Sequence, residues 1–295
     1  MEASFADSTI LRYKAIWSKF RGFAAHDPDW SFPAPPRLLA KYGVWLSQEG
    51  YKPATVATHL AGIGWWHRVR DLQDPSASYL VKRMLLGLGK SGPKPKQAFP
   101  LRQSAMAGFL AQLRLRHSEF DRSLYSAAFL LAYFASLRVG EYSTPGNHTL
   151  HLKSVGFIRD KGEQCILLTL GTFKASKRPA KALVPPEPEA AGCPVAALKA
   201  YLRVRPPGEG PLFLKSSGLP MTSKDVNATL KACVAAMGLN PADYSSHSFR
   251  AGRTTDYVEM GLEDAVIRES GRWKTDAFLK YIRFDVFRLP QGVPE

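Results

Sequence analysis

The segment Gly89-Lys-Ser-Gly-Pro-Lys-Pro-Lys-Gln-Ala98 constrains the fold more than any other part of the chain. It is built mainly of glycine, proline and lysine. It therefore has no apolar face to bury, and its backbone angles break helices. A chain of 295 residues is long enough for one large domain or two ordinary ones. This break favours two: a first domain over 1–89, a basic linker over 90–99, a second domain over 100–285, and a short tail over 286–295. The linker lysines also suit a path along a phosphate backbone.

The first domain reads as all helix. Ser8-Thr9 begins a helix running through Trp17 and Phe20 to Phe23. Pro35-Pro36 opens a second, with Leu39, Tyr42, Val44 and Leu46 on or near one face and Gly50 as its stop. A third starts at Thr55 and carries Val56, Leu60, Ile63 and Trp66, with Gly62 and Gly64 allowing close helix packing. A fourth covers Ser76 to Leu88. Trp17, Trp45, Trp65 and Trp66 at helical spacing are expected in the core.

The second domain mixes helix with a small sheet. Ser104–Leu115 and Asp121–Ala135 read as helices. Residues 155–159, 165–170 and 182–184 read as three strands of an antiparallel meander, turned at Asp160-Lys-Gly162 and at a longer lysine-rich loop. Helices resume at Val195–Arg203 and at Ser223–Met237, where Thr222 with Asp225 forms a capping arrangement and Gly238 a stop. The stretch from His247 to Arg283 reads as helix broken at Gly261 and Gly271. The fold class is therefore mainly α, a helical domain followed by an α+β domain.

Charge narrows the ligand class. Forty Lys and Arg face 25 Asp and Glu, a formal net charge of +15, which attracts polyanions and fits nucleic acid better than a small acidic metabolite. Cys165, Cys193 and Cys233 are too few and too far apart for a disulfide framework or a metal site, which points to a reducing intracellular compartment. The first residues lack a signal peptide's basic and apolar regions, and the most apolar stretch, Ala127–Leu137, is too short to cross a bilayer. No membrane association is expected.

Three motifs carry chemistry. In Ala135-Ser-Leu-Arg138-Val-Gly-Glu141, an arginine at the end of an apolar helix is costly to desolvate unless an anion meets it, and Glu141 can brace it. In Ser246-His247-Ser-Phe-Arg250, a proton-carrying ring and a planar fork share one helix face. In Ser270-Gly-Arg272-Trp273-Lys-Thr-Asp-Ala-Phe-Leu-Lys-Tyr281-Ile-Arg283, Tyr281 lies among cations. A phenol ionises near pH 10 or so and becomes a nucleophile only where cations stabilise the phenolate. Taken singly, each motif reads equally well as structural: an ion pair, a chance helical pair, a packed aromatic.

Their order does not. LRxGE, a strand-borne lysine, HxxR, GxW and then tyrosine resembles the tyrosine recombinases, the phage integrases and their relatives, from about Pro100 to Arg283. The N-terminal helices resemble that family's DNA-clamping core-binding domain. The resemblance implies two domains closing in a C-shape on duplex DNA, and cleavage and rejoining through a 3′-phosphotyrosyl intermediate. It implies that Arg138 and Arg250 grip the scissile phosphate. His247 assists them and moves a proton, and Tyr281 attacks phosphorus. Lys174, with Lys177 as its rival, protonates the leaving 5′ oxygen. It further implies a homotetramer on paired sites, exchanging strands through a Holliday junction, with the segment after Tyr281 (Phe284, Val286, Phe287 and Leu289) docking into a neighbouring protomer or onto its own domain. Charge stabilisation of a phosphoryl group by two Arg, a Lys and a His needs no metal, and neither metal nor cofactor is expected.

One departure stands out. The family has His or Trp nine residues before its tyrosine, whereas here that position is Arg272 and Trp273 falls eight before. Trp273 is assigned the packing and hydrogen-bonding part, with Arg272 as a support that can instead face the phosphate. The phrase from Gly271 to Tyr281 is similar to recombinases of eukaryotic mobile elements of the DIRS, Ngaro and Crypton groups; a eukaryotic host implies the nucleus, any other the cytoplasm or nucleoid. Relaxation of DNA in the manner of a type IB topoisomerase, and a domesticated DNA-binding role without catalysis, are the alternative readings.

Overall fold

The computed structural model describes residues 7–92, 97–144, 146, 148–171, 180–187 and 192–282. The chain divides into two compact units, Met1–Pro95 and Lys96–Glu295, each with its own apolar core.

The first unit is a bundle of four helices, α1 (Asp7–Ala24), α2 (Pro36–Gln48), α3 (Pro53–Arg68) and α4 (Tyr79–Ser91). Prolines at the first helical position open α2 and α3, where the missing N–H would have no partner anyway. Gly50, in the left-handed region at φ +82°, turns the chain out of α2. Phe20, Leu38, Leu39, Tyr42, Leu46, Val56, Leu60, Ile63 and Val81 form the core. Gly62 lies against Tyr13 and Ile16 of α1, close enough that a Cβ would press on both. Two expectations change. Val44 is exposed, being out of phase with Leu39, Tyr42 and Leu46 at 100° per residue. Of the four helical tryptophans only Trp65 is buried; Trp17, Trp45 and Trp66 ring the core half-buried. Helix α4 is capped by Ser78, whose hydroxyl accepts from the Val81 N–H, and runs two residues into the segment read as linker.

The second unit is built on α6 (Glu119–Phe134), buried on every side from Ala127 onward. Around it lie α5 (Gln103–Arg116), α7 (Val139–Tyr142), α8 (Pro194–Val204), α9 (Ser223–Ala236), α10 (His247–Glu259) and α11 (Asp264–Gly271). The sheet is an antiparallel meander in the order β1 (Val155–Asp160), β2 (Glu163–Leu170), β3 (Ala180–Val184). Its first hairpin turns at Lys161 and Gly162, both at positive φ, the twist that a two-residue connection requires. Thr222 and Asp225 cap α9 reciprocally, as their spacing predicts.

Two expectations about the chemistry-bearing segments change here. The apolar helix ends at Phe134, and Arg138 stands beyond it as the N-cap of α7. The stretch from His247 onward is two helices and then a single 3-10 turn, Asp276–Tyr281, so Tyr281 ends a turn rather than riding late on an α-helix. Glycine at 261 and the left-handed Arg272 break the longer helix into these pieces.

Candidate active site

Helix α10 carries two of the site residues, and four attachments fix it. The Leu101 N–H donates to the Ser248 carbonyl at 2.9 Å. Gly252 lies so close to the Leu101 carbonyl that a Cβ there would overlap the backbone. Asp256, 5% exposed, accepts from the Gln103 N–H at 2.9 Å and from the Tyr133 hydroxyl. Arg102 pairs with both Asp256 and Glu259.

Fixed in this way, α10 sends Arg250 inward until it is fully buried. Its guanidinium donates to the Ser136 carbonyl at 2.5 Å and to the Gly271 carbonyl, and lies 4.0 Å from the centre of the Trp273 ring. Its Nε has no hydrogen-bond partner among the described residues. Arg138 donates to Glu141 twice, from its backbone N–H at 2.9 Å and from Nη1 at 3.0 Å. Arg272 donates at 2.9 Å to Oε2 of the same carboxylate, the oxygen that also accepts the Arg138 N–H, and to the carbonyls of Ala135 and Ser136 at 3.0 and 3.1 Å. Two guanidinia thus share one buried carboxylate, and the Arg250 guanidinium lies beside them on the Ser136 carbonyl that Arg272 also meets.

The nucleophile candidate borders this cluster. The Tyr281 ring centre lies 5.5 Å from that of Trp273, 6.5 Å from that of His247 and 5.6 Å from the Arg250 guanidinium. Phe278, fully buried in the same turn, supports Trp273 from below. A cavity of about 290 Å³ opens beside Tyr281 and His247, lined also by Gln97, Ser245, Ala251 and Lys280.

The electrostatics are those of a site short of negative charge. Burial, then the neighbouring Arg138 and Arg272, push Arg250 down to about 9. Burial, then Arg250 and Arg138, hold His247 below its ordinary range, so the ring is neutral at pH 7. An entering anion opposes the part of each shift that the neighbouring arginines cause, because it favours the charged form of each group, and leaves the larger part due to burial. Ser136 and Arg272, the residues whose peptide groups line the cluster, both sit in the left-handed region at φ 47° and 57°, a strained conformation for residues with a side chain.

The structure therefore brings together Arg138, Glu141, His247, Arg250, Arg272, Trp273 and Tyr281. Trp273 lies over Arg250 and meets the Tyr281 ring at a tilt of 50°, while Arg272 is turned away to Glu141. Lys174 and Lys177 lie outside the described residues, as does everything after Ile282. Sequence reasoning read Gly271 as a helix break and as part of the GxW motif but missed that a Cβ there would overlap the Trp273 ring, and it missed the carbonyl of Ser136, which two arginines share. It also missed Asp256, which anchors α10 to α6 and to the chain at Arg102 and Gln103.

The fold is one shared with solved site-specific recombinases and integrases. The structure of the XerH site-specific recombinase bound to a palindromic difH substrate, in its post-cleavage complex, superposes with a TM-score of 0.66 at 16% identity, covering 91% of this chain and 74% of that one. A lambda integrase tetramer bound to a Holliday junction superposes at 0.64 with 14% identity, over 96% and 75%. The Tn1549 transposon integrase with transposon right-end DNA gives 0.62 at 13% identity, over 93% and 90%. In sequence, an integrase/recombinase XerD homolog of Selenomonas ruminantium is 23% identical over 301 residues, 96% of this chain and 83% of the relative. No family model matches the chain.

Proposed function

We propose that this chain breaks and rejoins DNA strands through Tyr281, in site-specific recombination or in the integration of a mobile element. One observation carries the reading: Arg138 and Arg272 share a single carboxylate, Arg250 joins Arg272 on the Ser136 carbonyl, and the Arg250 guanidinium lies 5.6 Å from the Tyr281 ring, itself 6.5 Å from that of His247. A scissile phosphate supplies the missing negative charge. The Arg138 and Arg250 guanidinia take its non-bridging oxygens, where fixed donors stabilise the charge that builds up at phosphorus.

The Tyr281 oxygen bonds to phosphorus as the bond from phosphorus to the 5′ oxygen breaks. The phenol proton passes to His247, neutral at pH 7 and so able to accept it. The departing 5′ oxygen takes a proton from Lys174, with Lys177 as the rival donor. The 3′-phosphotyrosyl link keeps the energy of the phosphodiester, so attack by a 5′ hydroxyl restores the strand. Two copies act on each site and four on a pair, and the first unit shares in gripping the duplex. The likeness of residues 271–281 to recombinases of eukaryotic mobile elements supports a host of that kind and a nuclear location.

A suicide substrate, nicked so that the released piece diffuses away, tests the reading. The full chain is expected to form a covalent adduct with DNA, and Tyr281→Phe to form none; an adduct that persists in Tyr281→Phe overturns the assignment. With a 5′-phosphorothiolate leaving group, Lys174→Ala regains cleavage and Arg138→Ala does not, whereas rescue of Lys177→Ala moves the acid to that residue.

A further inference from the structure

The second unit holds a cavity that none of the residues gathered around Tyr281 lines. It measures about 560 Å³ and lies between the end of α5, the first half of α6 and the start of α8. Its walls carry three arginines, one from each helix: Arg114, Arg122 and Arg203. Leu110, Ala197 and Ala200 give it an apolar lining, and Ser123 and Cys193 also face it. One wall is held by Gly192, which at φ +85° turns the chain into α8 so close to Leu110 that a Cβ would overlap that side chain.

Among the described residues none of the three guanidinia has a carboxylate partner, and Glu119 is the sole acid on the walls. Glu119 and Arg122 stand three apart on α6, the spacing of a helical ion pair, yet they form none. Three guanidinium charges against one carboxylate leave two positive charges unopposed. The Ser123 hydroxyl is buried and meets no hydrogen-bond partner among the described residues. A helical serine ordinarily turns its hydroxyl to solvent or back on the carbonyl one turn earlier, so this oxygen is short of a partner.

Charge and size select the ligand. The volume is that of a small-molecule pocket. A carboxylate or a phosphodiester brings one negative charge, whereas a phosphomonoester brings about 1.5 to 2 at pH 7 and so matches the excess. Guanidinium forks take phosphate oxygens in pairs.

We propose that this α5–α6–α8 cavity binds a small phosphomonoester, such as a mononucleotide. Arg114, Arg122 and Arg203 hold the phosphate, the Ser123 hydroxyl hydrogen-bonds it, and the apolar lining receives the rest of the molecule.

Cys193 reads occupancy directly, because it is partly exposed on the cavity wall while Cys165 and Cys233 are buried. The full chain, free of DNA, is alkylated with N-ethylmaleimide, an uncharged reagent, and the rate at Cys193 is followed by mass spectrometry. The rate is compared with AMP, with adenosine and with a DNA duplex whose ends carry no phosphate. AMP is expected to slow the reaction severalfold, and adenosine and the duplex to leave it unchanged. Arg114→Gln and Arg203→Gln, both at exposed positions, should each weaken the protection about tenfold, as loss of a charge-assisted hydrogen bond does. No protection by AMP, equal protection by adenosine, or unchanged protection in both variants overturns the proposal. Protection by the duplex would assign the arginines to a DNA-facing surface, and a rate that falls with protein concentration alone would give the cavity to a second copy of the chain; either result overturns it as well.

Discussion

Glu141 is 3% exposed and answers two guanidinia at once, and they are not equal. Arg138 keeps 39% of its side chain in solvent, so screening weakens its half of the pair; Arg272 keeps 11%. Removing the carboxylate therefore leaves Arg272 as a buried charge without its counter-ion, which costs about 3–5 kcal/mol. Glu141→Gln is expected to lower the melting temperature by roughly 10 °C in a unit of this size. An added oligonucleotide should recover more of that loss in the variant than it adds to the parent; equal gains in both would separate Glu141 from the anion site.

His247 gives the site its pH dependence. Its folded pKa lies below the ordinary value of 6.5, mainly through burial and then through Arg250 and Arg138. The unfolded chain thus takes up the proton more readily than the folded one. The stability this group contributes is fully present above pH 6.5 and is lost as the pH falls through the depressed pKa. Denaturant melts between pH 7 and pH 5 should show a shallower acid loss in His247→Gln than in the parent. Parallel curves would remove His247 from the cluster.

At the scale of elements, the site depends on how closely backbones approach. Helix α10 touches the Leu101 carbonyl at Gly252, and α11 ends at Gly271 so that the chain can fold Trp273 back over it. The ring then covers Arg250 and meets Tyr281, so one glycine sets the positions of three candidate residues. Gly271→Ala must displace the indole. It is expected to cost about 1–3 kcal/mol, as overpacking does, and to reduce adduct formation by at least about tenfold through the shift of Tyr281, since misplacement by an ångström costs far more than that. A variant that folds and cleaves like the parent would show that the ring's seat does not set the nucleophile.

At the scale of the whole molecule, basic residues are spread over both units while the candidate site lies in the second. A net charge of +15 attracts polyanions. Affinity for duplex DNA should fall steeply with salt, by more than about a thousandfold between 50 and 200 mM if six or more phosphates are neutralised. A flat response would separate the basic composition from DNA binding.

The sequence by itself determined what is local or ordered along the chain. The break after α4, the Thr222–Asp225 cap, the β1–β2 turn, and the succession of Arg138, Glu141, His247, Arg250 and Tyr281 all rest on spacings within a few residues or on motif order. Tertiary structure alone decided which side chains share a counter-ion. Arg272 reaches Glu141 across 131 residues of chain, and Arg250 reaches Ser136 across 114. No periodicity encodes such distances, because they depend on how α6, α10 and α11 pack. Spacing alone leaves the assignment between Arg272 and Trp273 open. The left-handed backbone at Arg272 turns its guanidinium to Glu141 and lays the next residue, Trp273, over Arg250, and that turn exists only because Gly271 leaves room for the ring.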